Sequence, residues 1–263
     1  MKLPYKSQFV YKKSKRDDDM KSYTLTGVKF YAMSKKDIVR RLTELCRDGR
    51  GAKVFTPNSV ILHKASKDDR LISLLGEASL LIPDGAGLSL ACRICGYPCG
   101  ERLAGIDAAY QLLRYAERHS LSVYLLGGEL GVAHEAALRL KSSLPHLKVC
   151  GTHHGYFDKQ TDSAENQAVI SSIRRAAPDI VFVCLGFPCQ EKWIQDNSSS
   201  LPSVRLVMGL GGSLDVWSGS IRRAPVILQR VGLEWLWRCI LQPRRVRDII
   251  SIPLFLIDSV RKR

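Results

Sequence analysis

Six apolar runs, each the length of a strand and each closed by glycine, proline or a polar residue, constrain this chain more than any other feature. They are KVFTPN (53–58), LLIPDG (80–85), SVYLLGG (122–128), LKVCGTHHG (147–155), DIVFVCLGFP (179–188) and RLVMGLGG (205–212). Segments with helical spacing lie around and between them, at 35–47, 59–76, 105–119, 131–143, 163–176 and 190–197. Apolar runs alternating with helical periods predict an α/β fold: a mainly parallel sheet with helices on its faces. Ligands of such sheets bind beyond the carboxyl ends of the strands. The residues that close each run are therefore where chemistry is expected.

The pattern changes near Ser220. Beyond it the chain is rich in Trp and Arg and helical in character, with Pro225, Pro243 and Pro253 marking breaks or helix starts. Three parts follow: a basic, disordered tail over 1–22, an α/β core over 23–219, and a basic amphipathic appendage over 220–263. The formal charge of +15 asks for an anionic partner, be it nucleic acid, an acidic membrane face or a phosphorylated small molecule. The appendage carries ten basic residues against Glu234, Asp248 and Asp258, a net of +7. No secretory signal is visible at the N-terminus, and IPLFLI (252–257) falls far short of the roughly 20 apolar residues that cross a bilayer.

The eight cysteines sit mostly in apolar stretches and read as reduced, buried thiols. Cys92, Cys95 and Cys99 have ligand-like spacing, but a structural zinc site wants a fourth ligand and none is evident, so no metal is expected.

Among the post-strand residues, Asp84 on its Pro-Asp-Gly turn suits a general base whose pKa burial can raise; a helix cap or turn aspartate is the plainer reading. Gln190 and Glu191 open a helix after the Gly186-Phe187-Pro188 turn, where Gln190 either bonds a polar ligand or caps. Gly209, Gly211 and Gly212, with Asp215 just beyond, permit close backbone approach to a ligand. YLLGG and the helix after it make a strand, glycine turn and helix that can cradle phosphate, without a full dinucleotide fingerprint or a P-loop.

Taken together, TPN, PDGAG, ERLAG, YLLGG, HGYF, LGFPCQE, GLGGSLDVWSG, RRAP and GLEWLWRCILQPRR, in this order and spacing, resemble the WecG/TagA/CpsF family, glycosyltransferase family 26. The resemblance runs from about Tyr23 to Arg247. It implies a Rossmann-like core of the type called GT-E, with a C-terminal appendage that completes the active site at the membrane. The implied activity is inverting and metal-independent, moving a sugar from a UDP-sugar to a sugar linked to undecaprenyl diphosphate in cell-surface polysaccharide synthesis. On the resemblance Asp84 falls on the catalytic base, and Thr56, Asn58, Arg102 and Gln190 on active-site positions. Gly128, Tyr156, Gly186 and Asp215 fall in loops around the UDP, and Arg238 and Arg245 on basic positions near diphosphate. One position departs: Asp248 stands where members commonly carry arginine, with Arg244 and Arg247 close by.

The residues suit that chemistry in their own right, since one aspartate can take the acceptor proton and cations can stabilise the departing diphosphate. A lipid-linked acceptor also explains why arginines share a segment with membrane-seeking residues. Basic side chains draw the tail to anionic headgroups, Trp235 and Trp237 suit either the headgroup boundary or the core, and IPLFLI can lie in the interface plane. The expected place is thus peripheral, at the cytoplasmic face of the inner or plasma membrane. Self-association is another way to cover apolar faces of the core. Rival classes are a nucleic-acid module, for which no helix-turn-helix, zinc-finger or RNP signature is found, a nicotinamide-dependent oxidoreductase, whose glycine fingerprint is incomplete, and a non-catalytic nucleotide-binding module.

Overall fold

The structure is a computed structural model that describes residues 20–49, 51–242 and 246–261, without the side chains of 246–249. Most of the expected basic tail, residues 1–19, lies outside the described residues, as do Pro243, Arg244 and Arg245.

An antiparallel hairpin opens the fold, β1 (Ser22–Leu25) and β2 (Val28–Tyr31), followed by α1 (Lys35–Asp48). The alternating part is β3 (Ala52–Phe55), α2 (Ser59–Ala65), α3 (Asp69–Gly76), β4 (Leu80–Leu81), α4 (Ala86–Cys95), α5 (Gly105–Arg118), β5 (Ser122–Gly127), α6 (Val132–Ser143), β6 (Lys148–His153), α7 (Ala164–Ala176), β7 (Ile180–Cys184), α8 (Cys189–Asn197), β8 (Leu206–Gly209) and α9 (Ser213–Trp217). The appendage supplies α10 (Val226–Arg230), α11 (Glu234–Leu241) and α12 (Val246–Arg261).

All six apolar runs become strands of one parallel sheet in the order β4-β3-β8-β7-β5-β6. Side chains of a strand alternate between faces, and in β3, β8, β7 and β5 both faces are buried, while the edge strand β6 is only partly covered. Val123, Leu125, Phe182 and Met208 point into one core with α1, α5, α6 and α9; Tyr124, Leu126, Val183 and Val207 point into the other with α2, α4, α7 and α8. From β3 the chain steps outward to the edge strand β4, then crosses the sheet to β5 and the opposite edge, β6. Connections leaving the middle of a sheet in opposite directions open a crevice at its carboxyl ends.

Three local readings need correction. The helical period over 59–76 hides a break, because Asp68 caps a new helix by accepting from Arg70 N at 2.9 Å. Helix α4 was not anticipated, since its many small residues give a weak apolar stripe. Pro253 lies inside α12 and does not break it. The lost hydrogen bond is offset by packing, for Phe255 two residues on is 0 % exposed. Pro225 does mark a helix start, standing as N-cap of α10.

Helix α12 packs against both α2 and α4. His63 Nδ1 lies 2.8 Å from Asp258 Oδ2, and the Cys95 thiol donates to the Ser259 carbonyl at 3.4 Å. The appendage is therefore helical as expected, and its last helix is seated on the core. Cys46, Cys92, Cys95, Cys184 and Cys239 are buried while Cys99, Cys150 and Cys189 are exposed, and all eight are free thiols. Among the described residues no cluster of metal-ligating side chains occurs.

Candidate active site

The crevice is a cavity of about 370 Å³ walled by the carboxyl-end loops of β3, β4, β7 and β8 and closed on one side by α11 and α12. Thr56, Asn58, Asp84, Arg102, Gly186, Gln190 and Arg238 all line it. Seven of the eleven sequence-derived site residues thus meet in one place. Gly128, Tyr156 and Asp215 sit at neighbouring carboxyl ends but do not line this cavity, and Tyr156 is 72 % exposed. Arg245 lies outside the described residues.

Backbone groups hold the core's share of the site. Thr56 Oγ1 donates to the Gly209 carbonyl at 3.1 Å, tying the end of β3 to the end of β8. Asn58 caps α2, its Oδ1 accepting from Ile61 N at 3.0 Å, which leaves its NH2 group to serve a ligand. Gln190 lies in the first turn of α8, accepts from Gly211 N at 2.8 Å and donates to Glu191 Oε1 at 2.9 Å. The bond to Gly211 sets the glycine loop after β8 that floors the cavity.

Asp84 follows β4 on a turn completed by Gly85, whose φ of +91° suits glycine and few other residues. Asp84 N donates to the Pro57 carbonyl at 2.9 Å, and Asp84 Oδ2 accepts from Gly105 N, the first residue of α5, at 3.2 Å. Its other oxygen has no partner among the described residues. Burial pushes the carboxyl above its ordinary pKa; the Gly105 N–H and the charges of Arg238 and Arg102 oppose the rise, and Glu234 adds to it. A desolvated carboxylate with one free oxygen facing a polar cavity is a stronger base than one in water. The side chain thus satisfies the first N–H of α5, a helix other than the one it precedes, and does so with one oxygen only.

The appendage brings Arg238 and supplies the partners of Arg102. Arg102 Nη2 donates to Glu234 Oε2 at 2.6 Å and Arg102 Nη1 to the Gln229 carbonyl at 2.9 Å, while its buried Nε has no hydrogen-bond partner among the described residues. Arg223 grips Asp107 of α5 with two bonds of 2.6 and 2.7 Å and lies 3.6 Å from Glu234 Oε1. Gly232, with φ +79°, packs so close to Ala86 that a Cβ there would overlap it. The appendage backbone therefore touches the chain two residues beyond Asp84.

Sequence reasoning missed Glu234, Lys64 and Trp235, which also line the cavity, and the buried Glu191. Glu234 was counted only as a stray acid among arginines; an acid so placed signals a partner inside the fold. Trp235 turns toward the cavity, whereas Trp237 Nε1 donates to the Arg222 carbonyl at 3.0 Å.

Two named relatives share most of this architecture's length. The chain is 34 % identical over 212 residues, 81 % of its length and 80 % of the relative's, to the N-acetylglucosaminyldiphosphoundecaprenol N-acetyl-beta-D-mannosaminyltransferase of Bacillus subtilis (strain 168). To the protein of the same name from Staphylococcus aureus (strain NCTC 8325 / PS 47) it is 32 % identical over 210 residues, 80 % of each chain. A family-wide sequence model matches residues 23–263, reaching through the core and all three appendage helices, and the chain belongs to the glycosyl transferase WecG/TagA/CpsF family.

Proposed function

We propose that this chain is an inverting transferase that moves a sugar, of N-acetylmannosamine, hexose or uronic-acid type, from a UDP-sugar to a sugar carried on undecaprenyl diphosphate. The observation that carries the reading is Asp84, a carboxylate made more basic by burial, with one oxygen fixed by Gly105 N and the other facing a cavity that also holds Arg102 and Arg238. The named relatives act on a lipid-linked acceptor of this kind, as their names state.

In this mechanism Asp84 takes the proton of the acceptor hydroxyl as its oxygen attacks the anomeric carbon of the donor. The bond from that carbon to the UDP oxygen breaks on the opposite face, so configuration inverts. Negative charge grows on the departing diphosphate, and Arg102 and Arg238, which line the cavity, neutralise it, with Arg245 in the same role. Those cations do the work a metal does in other transferases, so the reading uses none. Thr56, Asn58 and Gln190 shape the sugar site. The nucleotide runs past Gly186 toward the ends of β5, β6 and β8, where Gly128, Tyr156 and Asp215 stand. The acceptor's lipid places the enzyme peripherally on an anionic membrane surface, at the cytoplasmic face; among the described residues no helix is long and apolar enough to cross a membrane.

The test is UDP release across a panel of UDP-sugars, with and without a short-chain lipid-diphosphate-sugar acceptor, by wild type and Asp84→Asn. Acceptor-dependent release by wild type, reduced about a thousandfold in the variant, is expected. Near-normal turnover by Asp84→Asn removes the base; no release with any donor removes the transferase.

A further inference from the structure

The exposed apolar side chains are not scattered. Of the fifteen large apolar residues that stand exposed among the described residues, eleven belong to four helices, α4, α10, α11 and α12, and a twelfth, Val231, directly follows α10. Three of those helices are appendage. The fourth, α4, belongs to the catalytic core, begins two residues after Asp84, and leaves Leu90 and Ile94 46 % and 53 % exposed beside α12. On α12 the exposed Leu254 and Ile257 lie on one face, opposite the buried Phe255. Three of these helices wall the cavity, α4 with Ala86 and Gly87, α11 with Trp235 and α12 with Ile252.

Among the described side chains, charge on this face has one sign. Helices α4 and α10 contain no acid. The acids of α11 and α12 with described side chains are turned inward, Glu234 to Arg102 and Asp258 to His63. Outward stand Arg93, Arg230 and Arg261, next to the apolar residues. Apolar side chains rimmed, among the described side chains, by cations alone fit the surface of an anionic bilayer, with acyl chains for the one and phosphate headgroups for the other.

We propose that α4 is itself a lipid-contacting element, so that the bilayer is held jointly by a core helix and by the appendage helices, with its surface at the cavity mouth. This deepens the function proposed above and rests on its lipid-linked acceptor. It gives the arrangement a purpose that an appendage anchor alone does not supply. Ten helical residues span about 15 Å. A membrane-bound α4 thus fixes the height of Asp84 above the lipid, and with it which hydroxyl of a membrane-held acceptor the base can reach.

The experiment compares wild type, a Leu90→Ser/Ile94→Ser variant in α4 and a Leu254→Ser/Ile257→Ser variant in α12, all on the full chain. Co-sedimentation is measured with vesicles of phosphatidylglycerol and phosphatidylcholine and with phosphatidylcholine alone. UDP release is measured with the short-chain acceptor, which needs no bilayer. The α4 variant is expected to bind the anionic vesicles about tenfold or more weakly, much as the α12 variant does, and to keep its turnover on the short-chain acceptor. Unchanged vesicle affinity in the α4 variant overturns the proposal. So does an α4 variant that breaks up a wild-type dimer in solution while vesicle affinity holds, since the face would then serve a second copy of the chain. UDP release without any vesicle binding by wild type defeats this inference and spares the transferase. Vesicle binding that depends on α4, with no UDP release from any donor, does the reverse.

Discussion

The core and the appendage contribute to one cavity by different physical means. Thr56, Asn58, Asp84 and Gln190 are each held by a backbone group of a strand end or a helix turn, so their geometry is as rigid as the sheet. Arg102, by contrast, is held by a carboxylate and a carbonyl of the appendage, Arg223 of the appendage is held by Asp107 of the core, and Arg238 arrives on α11, which packs on α10 and α12. Position comes from the core, while the docked appendage brings Arg238 and holds Arg102 of the core in place. Such a division lets the base stay fixed while the groups that neutralise diphosphate depend on how a separate segment is seated.

The sharpest way to break that comparison is to loosen the seat. Phe255→Ala removes the fully buried ring that α12 inserts beside Leu62 and Leu88, and should cost about 3–4 kcal/mol in denaturant unfolding of the whole protein. An appendage that folds apart from the core would instead leave the main transition where it was. Arg238→Ala comes next, with turnover expected to fall about a hundredfold and unfolding free energy to move by less than about 0.5 kcal/mol. A large loss of stability would recast Arg238 as a structural residue.

Glu191 tests the core side. It is 1 % exposed, one of its oxygens has no partner among the described residues, and burial pushes its carboxyl to about 7. Above an unfolded-state value near 4.5 the unfolded chain sheds this proton while the folded chain keeps it up to about 7. Stability therefore falls as pH rises between those values, and the whole penalty is present above them. Glu191→Gln should accordingly stabilise the protein on the order of 1–3 kcal/mol at pH 8 and not at pH 4, as read from thermal or denaturant midpoints. An equal gain at both pH values would show that the carboxyl is not held protonated. The smallest effect belongs to Glu234→Gln, which frees Arg102 from its anchor and should lower kcat/KM about tenfold. Unchanged kinetics would mean that the Arg102–Glu234 pair does not position the arginine for catalysis.

Much of this molecule is legible in its sequence, for reasons that differ by element. The inner strands show because a strand buried on both faces must be apolar and must end in glycine, proline or a polar residue where it reaches the crevice; the exposed edge strand β6 shows more weakly, through Leu147 and Val149 and the closing glycine. Asp84, Thr56, Asn58 and Gln190 show because crevice residues follow directly from strand ends. The break at Asp68 and the small-residue helix α4 do not show, since neither interrupts the apolar period nor creates a strong one. Nor does the seat of α12, because an amphipathic pattern says that a face will be covered without saying by what. Glu234 was invisible as a site residue, and Glu191 as a buried acid, for a related reason: a carboxylate takes its role from partners far away in sequence, here Arg102 for Glu234, and from burial, which no local motif encodes.

The most direct test of a core base tuned by appendage charge is the pH dependence of kcat/KM for wild type, Arg238→Ala and Glu234→Gln. Wild type should rise with pH through a single group whose pKa lies above the ordinary carboxylate range, that group being Asp84. Arg238 holds the carboxyl down and Glu234 pushes it up. The acidic limb should therefore move to higher pH in Arg238→Ala and to lower pH in Glu234→Gln. Limbs that coincide in all three proteins, or that shift in the opposite sense, would contradict the account.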